Sequence, residues 1–252
     1  MKGAAVPATL TLPEDTPACL VLSCSPRPGG NSDTAARIFC RAFAQGRRET
    51  LYPGDVPEAD TDASECNARV LFLRDYAVSP CTACDACARA ARGIKARRGA
   101  LSLRSLLETQ PFPCPAAAHD AGRALLGAQV AAEQLCLVSP VYWYHLPAQF
   151  KALLDRMQIF RSMRENGCLR DDGPKRPCRI ILIGGRPRGE RLFAGSLLSL
   201  KYALATMHTA MVEPLLLYGL DAGDALRRNR EAAERVYAYG LAAGSAVPDG
   251  TV

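Results

Sequence analysis

Residues 25–32 form a short stretch whose residue types suit the binding of an anion. Their sequence is Ser-Pro-Arg-Pro-Gly-Gly-Asn-Ser, between an apolar strand-like segment and an amphipathic helical one. Glycines let the backbone turn tightly and approach a ligand, and the unpaired N–H groups at a helix start favour negative charge. Four side chains add donors suited to phosphate: the hydroxyls of Ser25 and Ser32, the amide of Asn31 and the guanidinium of Arg27. The alternative is an ordinary loop in which Asn31 or Ser32 caps the helix, but the place after the first strand favours phosphate.

Three cysteines, Cys81, Cys84 and Cys87, have the CxxCxxC spacing that suits a cubane iron–sulfur cluster. A structural zinc ion would also need four ligands. Residues 88–95 supply no thiol, and the next cysteine, Cys114, lies across a Pro-rich segment. We therefore expect no metal at this position and interpret the three thiols as reduced cysteines.

Five apolar segments alternate with helical patterns, which favours parallel strands joined by crossover helices. The predicted strands are Cys19–Cys24, Arg69–Leu73, Leu135–Ser139, Arg179–Gly184 and Val212–Tyr218. Their continuous apolarity is expected where helices cover both faces of a sheet. Apolar residues recur at helical spacing in four places, which predicts helices over 33–44, 146–157, 193–207 and 224–243. Two stretches, 45–68 and 93–118, are predicted to be irregular, and long insertions of this kind often serve as lids or contact surfaces.

The length and the 48% apolar content allow one sizeable core or two small ones. We expect residues 1–17 to be a loose leader, 18–244 a single domain with an insertion at about 93–118, and 245–252 a tail. The chain has a net charge of +6 but no dense stripe of Lys and Arg, which argues against nucleic-acid binding. No apolar run approaches the length of a membrane span. Eleven cysteines, several inside apolar runs, favour reduced thiols and a cytoplasmic location.

At this point the chain resembles the flavodoxin-like NAD(P)H-dependent FMN reductase family, which includes iron–sulfur flavoproteins. Residues 25–32 are similar to the family's phosphate loop, SPRxxGN(S/T). Residues 139–151, with Leu154-Asp155-Arg156, resemble its PVYW…(P/S)AQ.K…DR segment. The iron–sulfur flavoproteins complete their cluster with a fourth cysteine a few residues later, which this chain lacks, so here the three thiols are a remnant or line the flavin entrance.

The resemblance implies a three-layer, doubly wound α/β fold with a five-stranded parallel sheet of order 2-1-3-4-5. In such a sheet a ligand lies beyond the carboxyl ends of strands one and three. The implied FMN-binding residues are Ser25, Arg27, Gly30, Asn31, Ser32, Pro140, Val141, Tyr142, Trp143, Tyr144, Gly184 and Gly185. Residues 140–144 would lie along the flavin ring, or alternatively form a subunit contact.

The implied function is an FMN-dependent oxidoreductase that passes a hydride from NAD(P)H to flavin and electrons on to a second, small-molecule or protein acceptor. No side chain is assigned to catalysis. The resemblance also suggests a homodimer or homotetramer. Two alternatives stay open: a flavin-containing electron-transfer protein that acts with a protein partner, and a flavodoxin-like scaffold without cofactor.

Overall fold

A parallel β-sheet forms the centre of the computed structural model, which describes residues 16–51 and 67–246. The strands are β1 (Cys19–Ser23), β2 (Ala68–Phe72), β3 (Gln134–Pro140), β4 (Arg176–Ile183), β5 (Thr209–Met211) and β6 (Leu215–Leu217). Their order is β2-β1-β3-β4-β5, β6 also pairs with β4, and every pairing is parallel. The predicted α/β fold and the order 2-1-3-4-5 are confirmed.

The fifth strand differs from the sequence prediction, which placed one strand over Val212–Tyr218. Two short strands share this edge instead: β5 pairs with the beginning of β4, and β6 pairs with its end. Between them the Val212 N–H still donates to the Cys178 carbonyl at 2.9 Å. Pro214 has no N–H to continue the ladder, so the pairing is interrupted there.

Helices cover both faces of the sheet. They are α1 (Asn31–Leu51), α2 (Ala86–Arg98), α3 (Leu103–Glu108), α4 (Gly122–Ala131), α5 (Ala148–Arg156), α6 (Gln158–Glu165), α7 (Ala194–Ala205), α8 (Ala225–Arg228) and α9 (Arg230–Ser245). The helix predicted over 224–243 is two helices, because Asn229 separates them and its side chain caps α9 by accepting the Ala232 N–H at 3.0 Å. The helix predicted over 146–157 is α5, and after Met157 it is followed by α6, which was not predicted.

The stretches predicted to be irregular are partly helical. Residues 93–118 contain the end of α2, all of α3 and a 3₁₀ turn over Pro115–Ala118. Helix α1 continues to Leu51, so the predicted excursion over 45–68 begins as helix. The rest of that excursion, the predicted leader up to residue 15 and the tail from residue 247 lie outside the described residues.

Side chains alternate between two apolar layers along each central strand. In β3, Leu135 and Leu137 pack into the layer beneath α2–α7, whereas Cys136 and Val138 pack into the layer beneath α1 and α9. All four are buried. Full burial of one aliphatic side chain stabilises the fold by roughly 1.5–3 kcal/mol. The two layers hold the strands rigidly, and the loops that follow β1, β3, β4 and β6 leave the sheet at one edge.

Candidate functional site

The loops after β1, β3, β4 and β6 lie together at the carboxyl edge of the sheet, where sequence analysis placed the ligand. The Asn31 side chain reaches from the first of these loops to the last, donating to the carbonyls of Leu220 and Ala222 at 2.9 and 2.8 Å. The Arg186 guanidinium, in the loop after β4, donates to the Tyr144 hydroxyl at 3.4 Å. The four loops therefore form one continuous surface.

The loop between β1 and α1 presents unused hydrogen-bond donors. Gly29 has a φ of +66°, which suits glycine and turns the chain into the helix. The Arg27 N–H donates to the Ser25 hydroxyl at 3.1 Å, which closes the turn. Within the described part of the chain, the backbone N–H groups of Gly30, Asn31 and Ser32 have no hydrogen-bond partner. Such an N-terminal set of free N–H groups is a ready anion site.

The side-chain amide of Asn31 has a structural role, which differs from the expected donation to phosphate. Besides its two donated bonds, its Oδ1 accepts the Leu226 N–H at 2.9 Å. The amide therefore fixes the first loop to residues 220–226, and the backbone N–H is what Asn31 leaves for an anion. The guanidinium of Arg27 is exposed beside Gly223, with Nη1 3.2 Å from the position of a Cβ built there.

A buried carboxylate that sequence analysis missed braces this loop. Asp33 accepts the Ser23 hydroxyl and the Gly29 N–H, each at 2.7 Å. Arg74, just after β2, approaches both carboxylate oxygens at 2.9 Å and stacks on Phe72, with Cζ 4.5 Å from the ring centre. The Asp33 side chain is 3% exposed and the Arg74 side chain 18%. Arg74 thus neutralises a negative charge that would otherwise oppose an anion in the loop.

The ion pair between Asp33 and Arg74 could not be predicted from the sequence alone. An acidic residue in the first turn of a helix is favourable in itself, so Asp33 looks like an ordinary helix-start residue. Arg74 lies 41 positions away, and it reaches Asp33 only because β2 pairs with β1.

The loop after β3 ends in a tight, strained turn. The N–H groups of Tyr142 and His145 donate to each other's carbonyls at 2.8 and 2.9 Å. The two residues between them, Trp143 and Tyr144, have φ values of +52° and +63°, which are unfavourable for bulky side chains. The Val141 N–H is bonded to the Ile183 carbonyl at 2.9 Å. The described hydrogen bonds therefore leave the N–H groups of Trp143 and Tyr144 as this loop's donors for a ligand.

His145 fastens the turn to α7. Its Nδ1 accepts the Leu146 N–H at 2.9 Å, and its Nε2 lies 3.0 Å from the Ser199 hydroxyl. Because Nδ1 accepts, the ring proton belongs on Nε2, which donates to Ser199. The imidazole therefore holds the turn in place, and its two nitrogens are both engaged.

Gly184 and Gly185 are required by close packing. A Cβ on Gly184 would lie 2.7 Å from Leu192 Cδ2, and one on Gly185 would lie 2.6 Å from Asp221 Oδ1. The two glycines let the loop after β4 pack against residues 192 and 221. Their predicted approach to a flavin ring stays a prediction, as does Pro140, which ends β3.

The cysteines of the CxxCxxC run line a cavity of about 420 Å³, together with Cys114, and none of the predicted FMN-binding residues lines it. Cys81 and Cys84 are exposed, Cys87 and Cys114 are half-buried, and all four are free. In the described residues, no group of three or more His, Cys, Asp or Glu side chains is arranged to hold a metal ion.

Comparison with known families gives a match over residues 17–189, more than half of the chain, to the family of NADPH-dependent FMN reductases. No curated protein gives a significant sequence match. No helix among the described residues combines the length and apolarity needed to cross a membrane.

Several solved structures share the fold. An FMN-dependent NADH-azoreductase from Bacillus anthracis str. Ames Ancestor, in complex with FMN, has a TM-score of 0.52 and 16% identity, covering 90% of this chain and 97% of that one. An azoreductase from Bacillus anthracis str. Sterne has a TM-score of 0.51 and 13% identity, over 90% and 96% of the two chains. RosB with bound 8-demethyl-8-formylriboflavin-5'-phosphate has a TM-score of 0.51 and 13% identity, over 90% and 77%. At these identities the likeness shows the fold alone.

Proposed function

Because the chain belongs to the NADPH-dependent FMN reductase family, we propose that it is an enzyme that binds FMN at the carboxyl edge of its sheet and uses NAD(P)H as reductant. Bound FMN would supply the redox chemistry, accepting a hydride and passing two electrons to a second acceptor, a small molecule or a protein. The chain's own residues bind the cofactor, orient it and set its surroundings.

One observation carries this proposal: the free N–H groups of Gly30, Asn31 and Ser32 at the start of α1. They converge where the helix dipole favours negative charge, and the nearby Asp33 carboxylate is neutralised by Arg74. The hydroxyl of Ser32 and the exposed guanidinium of Arg27 are additional donors at the same loop. This donor set fits a phosphate monoester.

The turn after β3 suits a flat heteroaromatic ring. The N–H groups of Trp143 and Tyr144 are available donors, and the aromatic side chains of Tyr142 and Tyr144 are half-exposed beside them. Ring hydrogen bonds and aromatic contacts of this kind position a flavin and tune its electronics. The assignment needs no side-chain acid or base, because the bound flavin would carry the redox chemistry. Both ring nitrogens of His145 are already engaged within the protein.

Titration with FMN and with riboflavin tests the proposal, because the two differ only in the phosphate. We expect FMN to bind at least about tenfold more tightly than riboflavin, as charge-assisted hydrogen bonds contribute about 1.5–3 kcal/mol, and to raise the unfolding temperature. NADH or NADPH should then bleach the visible absorbance of the bound flavin. A purified chain that binds neither flavin, or that binds both equally well, contradicts the assignment.

We further propose that the enzyme is a homodimer or homotetramer. The Trp143 side chain is 97% exposed at the tip of its turn, and isolated aromatic side chains of this kind are enriched at protein interfaces. Light scattering on the purified chain measures the oligomeric state, and a monomer at all concentrations contradicts this part.

A further inference from the structure

Four free cysteines from separate parts of the chain line one cavity. Cys81 and Cys84 come from the segment between β2 and α2, Cys87 from the first turn of α2, and Cys114 from the segment before α4. The remaining wall is formed by the end of α5 and by α6. The proposed FMN site does not use this cavity.

The segment that carries Cys84 is strained. Ala83 and Asp85, on either side of it, have φ values of +52° and +56°. A non-glycine residue in the left-handed region costs about 1–3 kcal/mol and persists only where the surroundings fix it, often at functional sites. The consequence here is that Cys84 is presented to solvent immediately before α2, while Cys87 lies in the first turn of that helix.

The start of α2 faces the cavity with unused donors. The Asp85 side chain does not cap the helix, and within the described residues the N–H groups of Ala86, Cys87 and Ala88 have no partner. These three residues line the cavity. The N-terminus of a helix favours negative charge on a ligand.

Arg156, which also lines the cavity, is a second feature that favours binding of an anion there. Arg156 is 3% exposed, and its Nη1 donates to Asp120 at 2.5 Å and to the Ser79 carbonyl at 3.2 Å. Its Nη2 is buried and has no partner. A buried guanidinium N–H without a partner is costly. Asp120 already balances the charge of Arg156, which lines the cavity, so a ligand carboxylate there would accept a hydrogen bond from Nη2 and would not neutralise a free charge.

The acidic residues of the wall are mostly neutralised. Asp155 pairs with Lys151 at 2.5 Å, and Glu165 with Arg161 at 2.7 Å. Asp85, which also lines the cavity, has no ion pair among the described residues, and the donors of the wall are Arg156 Nη2 and the free N–H groups at the α2 N-terminus.

From these observations we propose that Cys84 and Cys87 are a redox-active dithiol that reduces small disulfides bearing carboxylate groups. A CxxC pair at a helix start, with the first thiol exposed and the second half-buried, is the arrangement in which one sulfur attacks and the other resolves. The carboxylate of the substrate would bind Arg156 Nη2 and the α2 N-terminus.

The exchange takes place in two steps. Cys84 Sγ attacks one sulfur of the substrate disulfide, the S–S bond breaks, and the leaving thiolate takes the proton that Cys84 released. Cys87 Sγ then attacks Cys84 Sγ in the mixed disulfide, and the second substrate thiol leaves with the proton from Cys87. The two protein thiols lose two electrons and become one disulfide, and the substrate disulfide gains them and becomes two thiols.

The experiment uses the full-length protein, reduced and then freed of reductant, without NADPH or flavin. It is mixed with glutathione disulfide, which carries carboxylates, or with 2-hydroxyethyl disulfide, which carries none. We expect peptide mapping to find one new disulfide, between Cys84 and Cys87. We also expect the acidic probe to react at least about tenfold faster, the effect of one charge-assisted hydrogen bond.

Serine variants identify the roles of the thiols. C84S should not react, C87S should stop as a mixed disulfide one glutathionyl group heavier, and the matched control C114S should behave like the parent. Three results overturn the proposal: C84S reacting at the parent rate, equal rates with the two probes, or iron and acid-labile sulfide bound to these cysteines in the purified protein. Because no flavin takes part, failure to bind FMN would leave this result unaffected, and the reverse also holds.

Discussion

Replacing Asp33 by Asn tests whether the buried Asp33–Arg74 pair supports phosphate recognition by the loop before α1. The substitution keeps the size and shape of the side chain but removes the charge that Arg74 neutralises. It also places an amide NH₂ among groups that are themselves donors, the Gly29 N–H, the Ser23 hydroxyl and the Arg74 guanidinium. The loop before α1, which presents the free N–H groups, would then lose the contacts that fix its conformation.

The expected loss of stability in D33N follows from the burial of the Asp33–Arg74 ion pair. Removing one partner of a buried ion pair costs about 3–5 kcal/mol, because the remaining charge is left unpaired. Arg74 is 18% exposed and stacks on Phe72, so part of its hydration and one contact survive. We therefore expect the free energy of unfolding to fall by about 2–3 kcal/mol. Affinity for FMN should fall about 10- to 100-fold, the range of one charge-assisted hydrogen bond, and affinity for riboflavin by less than about threefold.

The assay is quenching of flavin fluorescence by parent and D33N, combined with urea unfolding of both. E234Q is the matched control, since Glu234 pairs with Arg230 on an exposed helix face, with the two side chains 61% and 93% exposed. It should change the unfolding free energy by less than about 0.5 kcal/mol. The reasoning is refuted if folded D33N loses equal affinity for FMN and riboflavin, or binds both like the parent.

Three further predictions concern single positions. R27A should weaken FMN binding about tenfold without lowering the unfolding free energy, because its guanidinium is exposed and is proposed to bind the phosphate. Unchanged affinity in the same titration refutes that role. W143N should raise the free energy of unfolding, measured in urea, by about 1 kcal/mol. Asn tolerates the φ of +52° at this position better than Trp does, and the Trp143 side chain that is lost is almost fully exposed. The W143N variant should also oxidise NADPH more slowly. Burial raises the pKa of the Cys40 thiol to about 11, whereas the pKa of a thiol in an unfolded chain is about 8.5. The stability that comes from keeping Cys40 protonated is therefore complete below about pH 8.5. It is lost as the pH rises towards 11. C40A should therefore reduce the fall in the free energy of unfolding at alkaline pH by up to about 1.4 kcal/mol per pH unit. Equal profiles of unfolding free energy against pH for parent and variant contradict this prediction.

Local signals in the sequence predict most of the strands, whereas the order of the strands came from the family resemblance. Continuous apolar segments of strand length, separated by helical periods, predict the elements and place the loop 25–32 and the turn 142–145 at one edge. Two local signals were underestimated. Pro214 interrupts the predicted fifth strand, and Asn229 ends one helix and caps the next.

The partners of the site residues could not be predicted in the same way. Asn31 contacts Leu220 across 189 positions, and Asp33 contacts Arg74 across 41. Periodicity shows which face of an element is apolar, but it does not show which polar side chain arrives from another element. For this reason Asn31 was expected to serve the ligand with its amide, whereas the amide is used to join two loops.

The described chain concentrates its unfavourable local features at two places. Seven non-glycine residues have positive φ, and four of them are Trp143 and Tyr144 in the turn after β3 and Ala83 and Asp85 around Cys84. The unpaired N–H groups at the start of α2 directly follow Asp85, and those at the start of α1 lie at the same edge of the sheet as the turn after β3. Strain and unsatisfied donors reduce stability, so a sequence without function at these positions would gain by losing them. Two surfaces retain both features, one at the proposed phosphate loop and one at the proposed dithiol. This is the physical reason to test for two chemistries in this protein.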